Sequence, residues 1–170
     1  MKSRMDDSED GWSVETYLGM VRKVWPQAKE IIVPLYLSPK TTPQMISDGA
    51  KKGILRACKY YPPHGTTNSE HGAEIHHFIR NGVLAAMQEH GVVLCVHGEM
   101  HGLSGEAYFG RSGNAEEAFY REVAPRIVEA FPRLKLVAEH ATTKTAADFV
   151  KQAGPQVAAT ITPQHLLYTI

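Results

Sequence analysis

Short apolar runs alternate with amphipathic segments along the chain. The runs predict five strands, at residues 31–37, 54–59, 92–97, 134–140 and 157–162. Apolar positions three or four residues apart predict helices between them, one beginning at Ser13 and others at residues 43–52, 73–90, 115–131 and 143–153. Pro34 lies inside the first run and favours an irregular ladder there. Strands that alternate with helices indicate parallel β/α units.

Three of these runs end on a residue with side-chain chemistry: Lys59, His97 and His140. Two folds fit the alternation, an open doubly wound sheet and part of a (β/α)8 barrel. Barrel enzymes place their active sites at the carboxyl ends of the strands. The open sheet usually binds its ligand through a glycine-rich phosphate loop, and the sequence has neither GxGxxG nor GxxxxGK[ST]. The pattern therefore favours a TIM-type (β/α)8 barrel.

The alternation of side chains along a strand predicts which residues share a face. His97 shares one with Cys95 and Glu99, and His140 shares one with Ala138. A single histidine at the end of a buried strand is more often a hydrogen-bonded structural residue than a metal ligand. Two of them on neighbouring strands make a metal site an equal alternative.

Lys59 also has two interpretations. A lysine commonly extends its amine to the surface, but burial at the end of a strand favours the neutral, reactive form. Such an amine reacts with carbon dioxide to give a carbamate, whose two oxygens can bind metal ions. The loop that follows contains the letters YYPPHGTTNSEHG and is either a solvated turn or a segment that covers a ligand.

Composition narrows the class of protein. The chain has 170 residues, 43% of them hydrophobic, which is enough for a single globular domain. Its 18 basic and 18 acidic residues balance, so the charge argues against a nucleic-acid partner. No run of about 18 apolar residues predicts a membrane span. The first twelve residues are polar; we expect residues 1–12 to be flexible, residues 13–170 to form the domain, and the location to be cytoplasmic.

Four motifs occur in order along the chain: KYYPPHGTTNSEHG, LCVHGE, AEHATTKTAADFV and AATITPQHL. Together they resemble the single-function, bacterial-type dihydroorotases of the amidohydrolase superfamily. The resemblance spans about residues 13 to 168 and implies strands three to seven of the family's eight-stranded barrel. It also implies the zinc-dependent, reversible cyclisation of N-carbamoyl-L-aspartate to dihydroorotate in pyrimidine biosynthesis.

The resemblance implies roles for individual residues. Lys59 matches the carbamylated lysine that bridges two zinc ions, and His97 and His140 match two histidine ligands of the second ion. Thr66 and Thr67 match threonines of a loop that closes over the substrate. Tyr61 matches the tyrosine of the family's KxYP motif, near the carbamate and the substrate. His165 lies in a family motif, but the resemblance assigns it no role.

Other family features have no counterpart in the sequence. These are the His-x-His pair and the arginine of the first strand, the asparagine of the second, and the aspartate of the last. We therefore expect a partial barrel with impaired activity, and a homodimer or another association that supplies the missing strands. The alternatives are a non-catalytic dihydroorotase-like scaffold or interaction module and, less favoured by the TTNSEHG and TPQHL motifs, a different cyclic amidase such as a hydantoinase.

Overall fold

The computed structural model describes residues 3–4, 12–67, 69–110 and 113–167, with only the backbone at residues 3, 4 and 12. Within these ranges the strands form one parallel sheet in the order β2-β1-β3-β4-β5-β6-β7. The strands are β1 (Ser3–Arg4), β2 (Trp12–Ser13), β3 (Leu35–Tyr36), β4 (Ala57–Tyr60), β5 (Val93–Val96), β6 (Leu136–Ala138) and β7 (Val157–Ala159). Strands β3, β5, β6 and β7 lie within their predicted apolar runs, and β4 extends one residue beyond its run, to Tyr60.

From β2 onward, helices connect the successive strands, as the alternation predicts. They are α1 (Val14–Val24), α2 (Pro43–Lys51), α3 (Ile75–Arg80), α4 (Val83–His90), α5 (Glu106–Phe109), α6 (Ala115–Glu122), α7 (Ala124–Ala130), α8 (Lys144–Gln152) and α9 (Pro163–Leu167). The short helices α5 and α9 were not predicted. None of the helices in the described ranges is long and apolar enough to cross a membrane.

Two helices predicted as continuous are each divided. Residues 73–90 form α3 and α4 because Gly82 adopts a left-handed conformation, with φ at 83°, that favours glycine. Residues 115–131 form α6 and α7, and Pro125 lies in the first turn of α7. Proline has no N–H to continue the helical hydrogen bonds, and its ring clashes with the preceding turn. The single-helix predictions were wrong at both places.

The hydrophobic core lies around the central strands. Strand β4 pairs with β5 over four residues, from Ala57 opposite Val93 to Tyr60 opposite Val96, and β5 pairs with β6 over three. The inward residues of these strands are almost fully buried, among them Cys58, Leu94, Val96, Leu136 and Ala138. This register brings the carboxyl ends of β4, β5 and β6 to the same edge of the sheet.

The segment predicted to be flexible, residues 1–12, is described only in part. Ser3–Arg4 pairs with β3 on one side and with β2 on the other, and Trp12 begins β2. The remaining residues of the segment lie outside the described ranges. Its flexibility therefore stays a prediction.

Candidate functional site

Lys59 is held at the end of β4 by two neighbours. Its side chain is buried, and its ammonium contacts the carboxylate of Glu139. The ammonium also lies over the ring of Tyr61, 4.7 Å from the ring centre. Lys59 is paired in register with Cys95 on β5, so both side chains lie on the same side of the sheet. The strand end thus presents the amine to this edge, as the sequence predicts.

His140 reaches the site by a different route from the predicted one. The register places Ala138 opposite Val96, so one step further His97 lies opposite Glu139 rather than His140. Strand alternation alone would leave His140 on the side of Ala138, in the core. Instead, the strand ends at Ala138 and His140 takes a left-handed backbone conformation with φ at 45°. The predicted shared face with Ala138 is therefore wrong, because this turn directs the imidazole toward His97.

The two histidines meet although they are 43 residues apart. His97 Nδ1 lies 3.0 Å from His140 Nε2. The other nitrogen of His97, Nε2, lies 2.9 Å from a carboxylate oxygen of Glu99, which also accepts a hydrogen bond from the Tyr108 hydroxyl. A carboxylate accepts only, so this contact favours a proton on His97 Nε2. It leaves Nδ1 as the lone-pair nitrogen that faces His140.

Burial shapes the electrostatics of this edge. It lowers the pKa of His140, and the electrostatic influence of His97 and Lys59 lowers that pKa further. Burial acts in the opposite direction on Glu99, but the hydrogen bonds from His97 and Tyr108 outweigh it and hold that pKa below its usual range. The thiol of Cys95 has a pKa raised to about 11, first by burial and then by Glu139. The site therefore favours neutral His140 and Cys95 beside an ionised Glu99.

A cavity of about 390 Å³ opens beside the histidine pair. Its described lining includes His97, Glu99, Tyr108, Glu116, His140 and His165. The ring of His165 is centred 5.9 Å from that of His140. The cavity is large enough for a small-molecule ligand.

The two predicted loop threonines lie elsewhere. Thr66 and Thr67 are exposed and are not among the described residues that line this cavity. The loop is fixed from within by Ser69, whose buried hydroxyl accepts from the Thr66 N–H at 2.9 Å and donates to the Thr66 carbonyl at 2.6 Å. Tyr61, by contrast, lies at the site, with its ring centre 5.5 Å from that of His97.

Three carboxylates at this edge were not predicted as site residues: Glu99, Glu116 and Glu139. Two of them carried a signal in the sequence. Glu99 lies two residues after His97 on the same face, and Glu139 lies two residues after the outward position Val137. Glu116 lies in the first turn of α6, far from either histidine in sequence, and no local pattern indicates its role.

Comparison with known proteins finds relatives among the curated dihydroorotases. No protein-family model matches the chain. The chain is 43% identical to the dihydroorotase of Shewanella amazonensis over 141 residues, which are 83% of this chain and 40% of that protein. It is 44% identical to the dihydroorotase of Aliivibrio salmonicida over 137 residues, which are 81% of this chain and 38% of that protein. The chain is a partial homologue of the dihydroorotases.

Solved dihydroorotase structures confirm the fold. The enzyme of Saccharomyces cerevisiae in complex with 5-fluoroorotic acid superposes with a TM-score of 0.80 at 29% identity, covering 99% of this chain and 47% of that one. The enzyme of Campylobacter jejuni gives a TM-score of 0.71 at 26% identity, covering 92% of this chain and 43% of that one. The chain therefore has the α/β architecture of a partial dihydroorotase barrel, and it spans about 40% of the length of the curated relatives it matches.

Proposed function

We propose that this chain carries part of the active site of a zinc-dependent cyclic amidohydrolase, a dihydroorotase that interconverts N-carbamoyl-L-aspartate and dihydroorotate. The observation that carries the proposal is the approach of His97 Nδ1 to His140 Nε2, 3.0 Å apart at the ends of neighbouring parallel strands. The similarity to curated dihydroorotases supports the same activity. The proposal includes two expectations from the sequence: a role in pyrimidine biosynthesis and a cytoplasmic location.

The histidine pair fits one zinc ion. Zinc binds imidazole nitrogens at about 2.0–2.1 Å with tetrahedral angles, which places two such nitrogens about 3.3 Å apart. The observed 3.0 Å is close to that separation. In the described part of the chain, no group of three or more His, Cys, Asp or Glu residues is arranged to hold a metal ion. Glu99 contacts the far nitrogen of His97, and Glu139 contacts Lys59, so neither completes the set.

The resemblance supplies a further ligand in Lys59. A carbamate on its amine would be an anion with two oxygens, and oxygen is a known ligand of zinc. The ion pair with Glu139 holds while Lys59 is an ammonium, whereas a carbamate repels that carboxylate. Glu139 therefore has to turn away from Lys59 when the carbamate forms.

The other residues of the site would orient the metal ligands or contact the substrate. A zinc ion held there would supply a water of lowered pKa and polarise the amide carbonyl of the ring. Glu99 fixes the tautomer and orientation of His97, and Tyr108 fixes Glu99. Tyr61 lies beside His97 and Lys59 at the proposed substrate side of the site. Thr66 and Thr67 close over the substrate in this proposal, which requires a movement of their loop toward the cavity.

Association with further polypeptide is part of the proposal. Strand β7 lies at an edge of the sheet with Ala158 and Ala159 exposed, and the apolar side chains of Ile161, Leu166 and Leu167 are exposed beside it. Such an edge favours pairing with another strand. A homodimer, or a partner that supplies the remaining strands, would cover it. We expect the isolated chain to have very low dihydroorotase activity, because the family's His-x-His pair, arginine, asparagine and aspartate have no counterparts in this sequence.

The decisive experiment is a zinc analysis of the full chain purified in bicarbonate. We expect one or two zinc ions per chain, lost in His97→Ala and in His140→Ala. The matched control is His76→Ala, which removes an exposed imidazole on α3 and should leave the zinc content unchanged. A folded chain that contains no zinc would reject the metal site and favour the scaffold alternative.

A further inference from the structure

One carboxylate holds the turn that follows His140. Glu116 accepts hydrogen bonds from the backbone N–H of Thr142 at 2.9 Å and of Thr143 at 2.8 Å. It also accepts from both hydroxyls, each at 2.8 Å. Both oxygens of the carboxylate are used, and all four donors belong to the two residues just after Ala141. A partly buried charged acceptor with four short bonds fixes this turn firmly.

The turn lies directly behind a strained residue. His140 adopts φ of 45°, which is unfavourable for a residue with a side chain and persists only where the surroundings hold it. On one side, the His140 N–H donates to the Thr160 hydroxyl at 2.9 Å, and the Ala141 N–H donates to the Thr160 carbonyl at 2.9 Å. On the other side, Glu116 holds the following turn. The backbone at His140 is thus held by two anchors, Thr160 after β7 and Glu116 on α6.

The helices make the second anchor rigid. Glu116 lies in the first turn of α6, where Asn114 caps the helix by accepting from the Glu117 N–H at 3.0 Å. Thr143 caps α8 by accepting from the Ala146 N–H at 3.1 Å while its own hydroxyl donates to Glu116. The turn after His140 is therefore joined to the starts of two helices.

We propose that Glu116 is a positioning residue for metal binding, which sets the orientation of His140 toward His97 through the turn at Thr142 and Thr143. This inference rests on the proposed zinc site. Among the described residues, no hydrogen bond or ion pair joins Glu116 to His97 or His140, so Glu116 acts on the metal through the backbone of the turn. Outer carboxylates that orient metal ligands commonly change metal affinity by about 10–100-fold when they are replaced.

The test compares Glu116→Gln with Glu117→Gln in the full chain. Glutamine keeps the shape of Glu116 but replaces one acceptor oxygen with an NH2 group that faces donors. Glu117 lies in the same first turn, and among the described residues its carboxylate contacts Arg121 at 3.8 Å. The control therefore removes an equal charge from the same helix end, which cancels any effect through the helix dipole.

Zinc affinity is measured by competition with a chromophoric chelator, and the geometry by the visible absorption of the cobalt-substituted chain. We expect Glu116→Gln to weaken zinc binding about tenfold or more and to change the cobalt spectrum, with Glu117→Gln within twofold of the unchanged chain. Thr142→Val should also weaken binding, while Thr142→Ser, which keeps the hydroxyl donor, should restore it. Unchanged affinity and spectrum in Glu116→Gln would overturn the proposal.

A second readout separates this inference from the proposed function. The ring resonances of His140 are followed by NMR in the metal-free chain. If the unchanged chain binds no zinc but Glu116→Gln alone moves these resonances, the zinc site is rejected and the positioning of His140 stands. If neither variant moves them, the positioning role is rejected as well. Urea unfolding of each variant shows whether a change in affinity merely reflects partial unfolding.

Discussion

The ends of β5 and β6 and the loop that follows β4 both carry residues that the sequence singles out, yet they are built differently. At the ends of β5 and β6, side chains from distant parts of the chain contact one another, as His97 and His140 do at 3.0 Å. In the loop, Thr66 bonds to Ser69 only three residues away, and its own side chain is exposed. One region is assembled by the sheet, the other by its own local turns.

The difference shows what a parallel sheet does for a site. Register pairs between β4, β5 and β6 fix the heights of the strand ends, so residues at those ends meet whatever their separation in sequence. A loop has no such constraint, and its tip is free to adopt the position its turns allow. The histidine pair should therefore depend on the core beneath it, whereas the loop should depend on few contacts.

Removing core volume under the histidines should have the largest effect. Leu136 on β6 is 2% exposed and supports the strand that leads to His140. We expect Leu136→Ala to lower the free energy of unfolding by about 2–5 kcal/mol, because it removes buried methyl groups and leaves a cavity. Urea unfolding followed by circular dichroism measures this change.

Thr67→Ala is the matched control in the loop. Its side chain is exposed, so we expect a change within about 0.5 kcal/mol. Equal losses in the two variants would contradict the view that the core of the sheet, rather than the loop, supports the fold. A loss at Leu136 below about 1 kcal/mol would show that β6 is not packed as the structure describes.

The sequence predicted the strands well because each is a continuous apolar run that must be buried. Lys59, His97 and His140 follow from the same pattern, since each ends such a run. The direction of the His140 side chain could not be predicted from the sequence. Its left-handed backbone depends on hydrogen bonds to Thr160, a residue that lies 20 positions further along the chain. Periodicity describes a strand but does not describe how the chain leaves it.

Other features escaped prediction for related reasons. Glu116 bonds to Thr142 across 26 residues, a contact that only the packing of α6 beside α8 creates. The two-residue strands β1 and β2 are too short to show an alternating pattern. Gly82 did signal a break in the predicted helix over residues 73–90, but glycine inside an amphipathic pattern is ambiguous without its backbone angle.

Adding a methyl group at Gly98, between the end of β5 and α6, should have the next largest effect on the free energy of unfolding. A Cβ on Gly98 would lie 2.4 Å from the hydroxyl oxygen of Tyr120 and 2.5 Å from its ring. Tyr120 is 2% exposed and packs against Phe149, so it has little room to move. We expect Gly98→Ala to lower the free energy of unfolding by about 1–3 kcal/mol and to displace the neighbouring His97.

The comparison variant for this change is Gly19→Ala on α1. A Cβ there meets nothing within 4 Å, and alanine favours a helix more than glycine does. Its free energy of unfolding should rise by up to about 1 kcal/mol in the same urea experiment. The two glycine variants should thus shift the unfolding midpoint in opposite directions. A shift in the same direction would mean that Tyr120 does not occupy the space beside Gly98.

The smallest effect should come from loosening the loop itself. Ser69 is fully buried, and its hydroxyl makes both side-chain contacts that close the turn at Thr66. Ser69→Ala removes them, but water can reach the exposed Thr66, so we expect a loss of only about 1 kcal/mol. Hydrogen exchange at the Thr66 amide should become faster, while the amides of β5 and β6 should keep their protection.

Ser69→Ala also tests whether the loop after β4 affects the histidine pair. The described contacts between this loop and the segment after β5 include a hydrogen bond between the His101 ring and the Pro63 carbonyl, at 3.1 Å, and the ring of Tyr61 beside that of His97. Neither contact involves Ser69, so zinc affinity in Ser69→Ala should stay within about twofold of the unchanged chain. Thr66→Ala, which keeps the Ser69 bonds to the backbone, should leave both the exchange rate and the affinity unchanged. A large loss of affinity in Ser69→Ala alone would show that the loop, and not only the sheet register, sets the distance between His97 and His140.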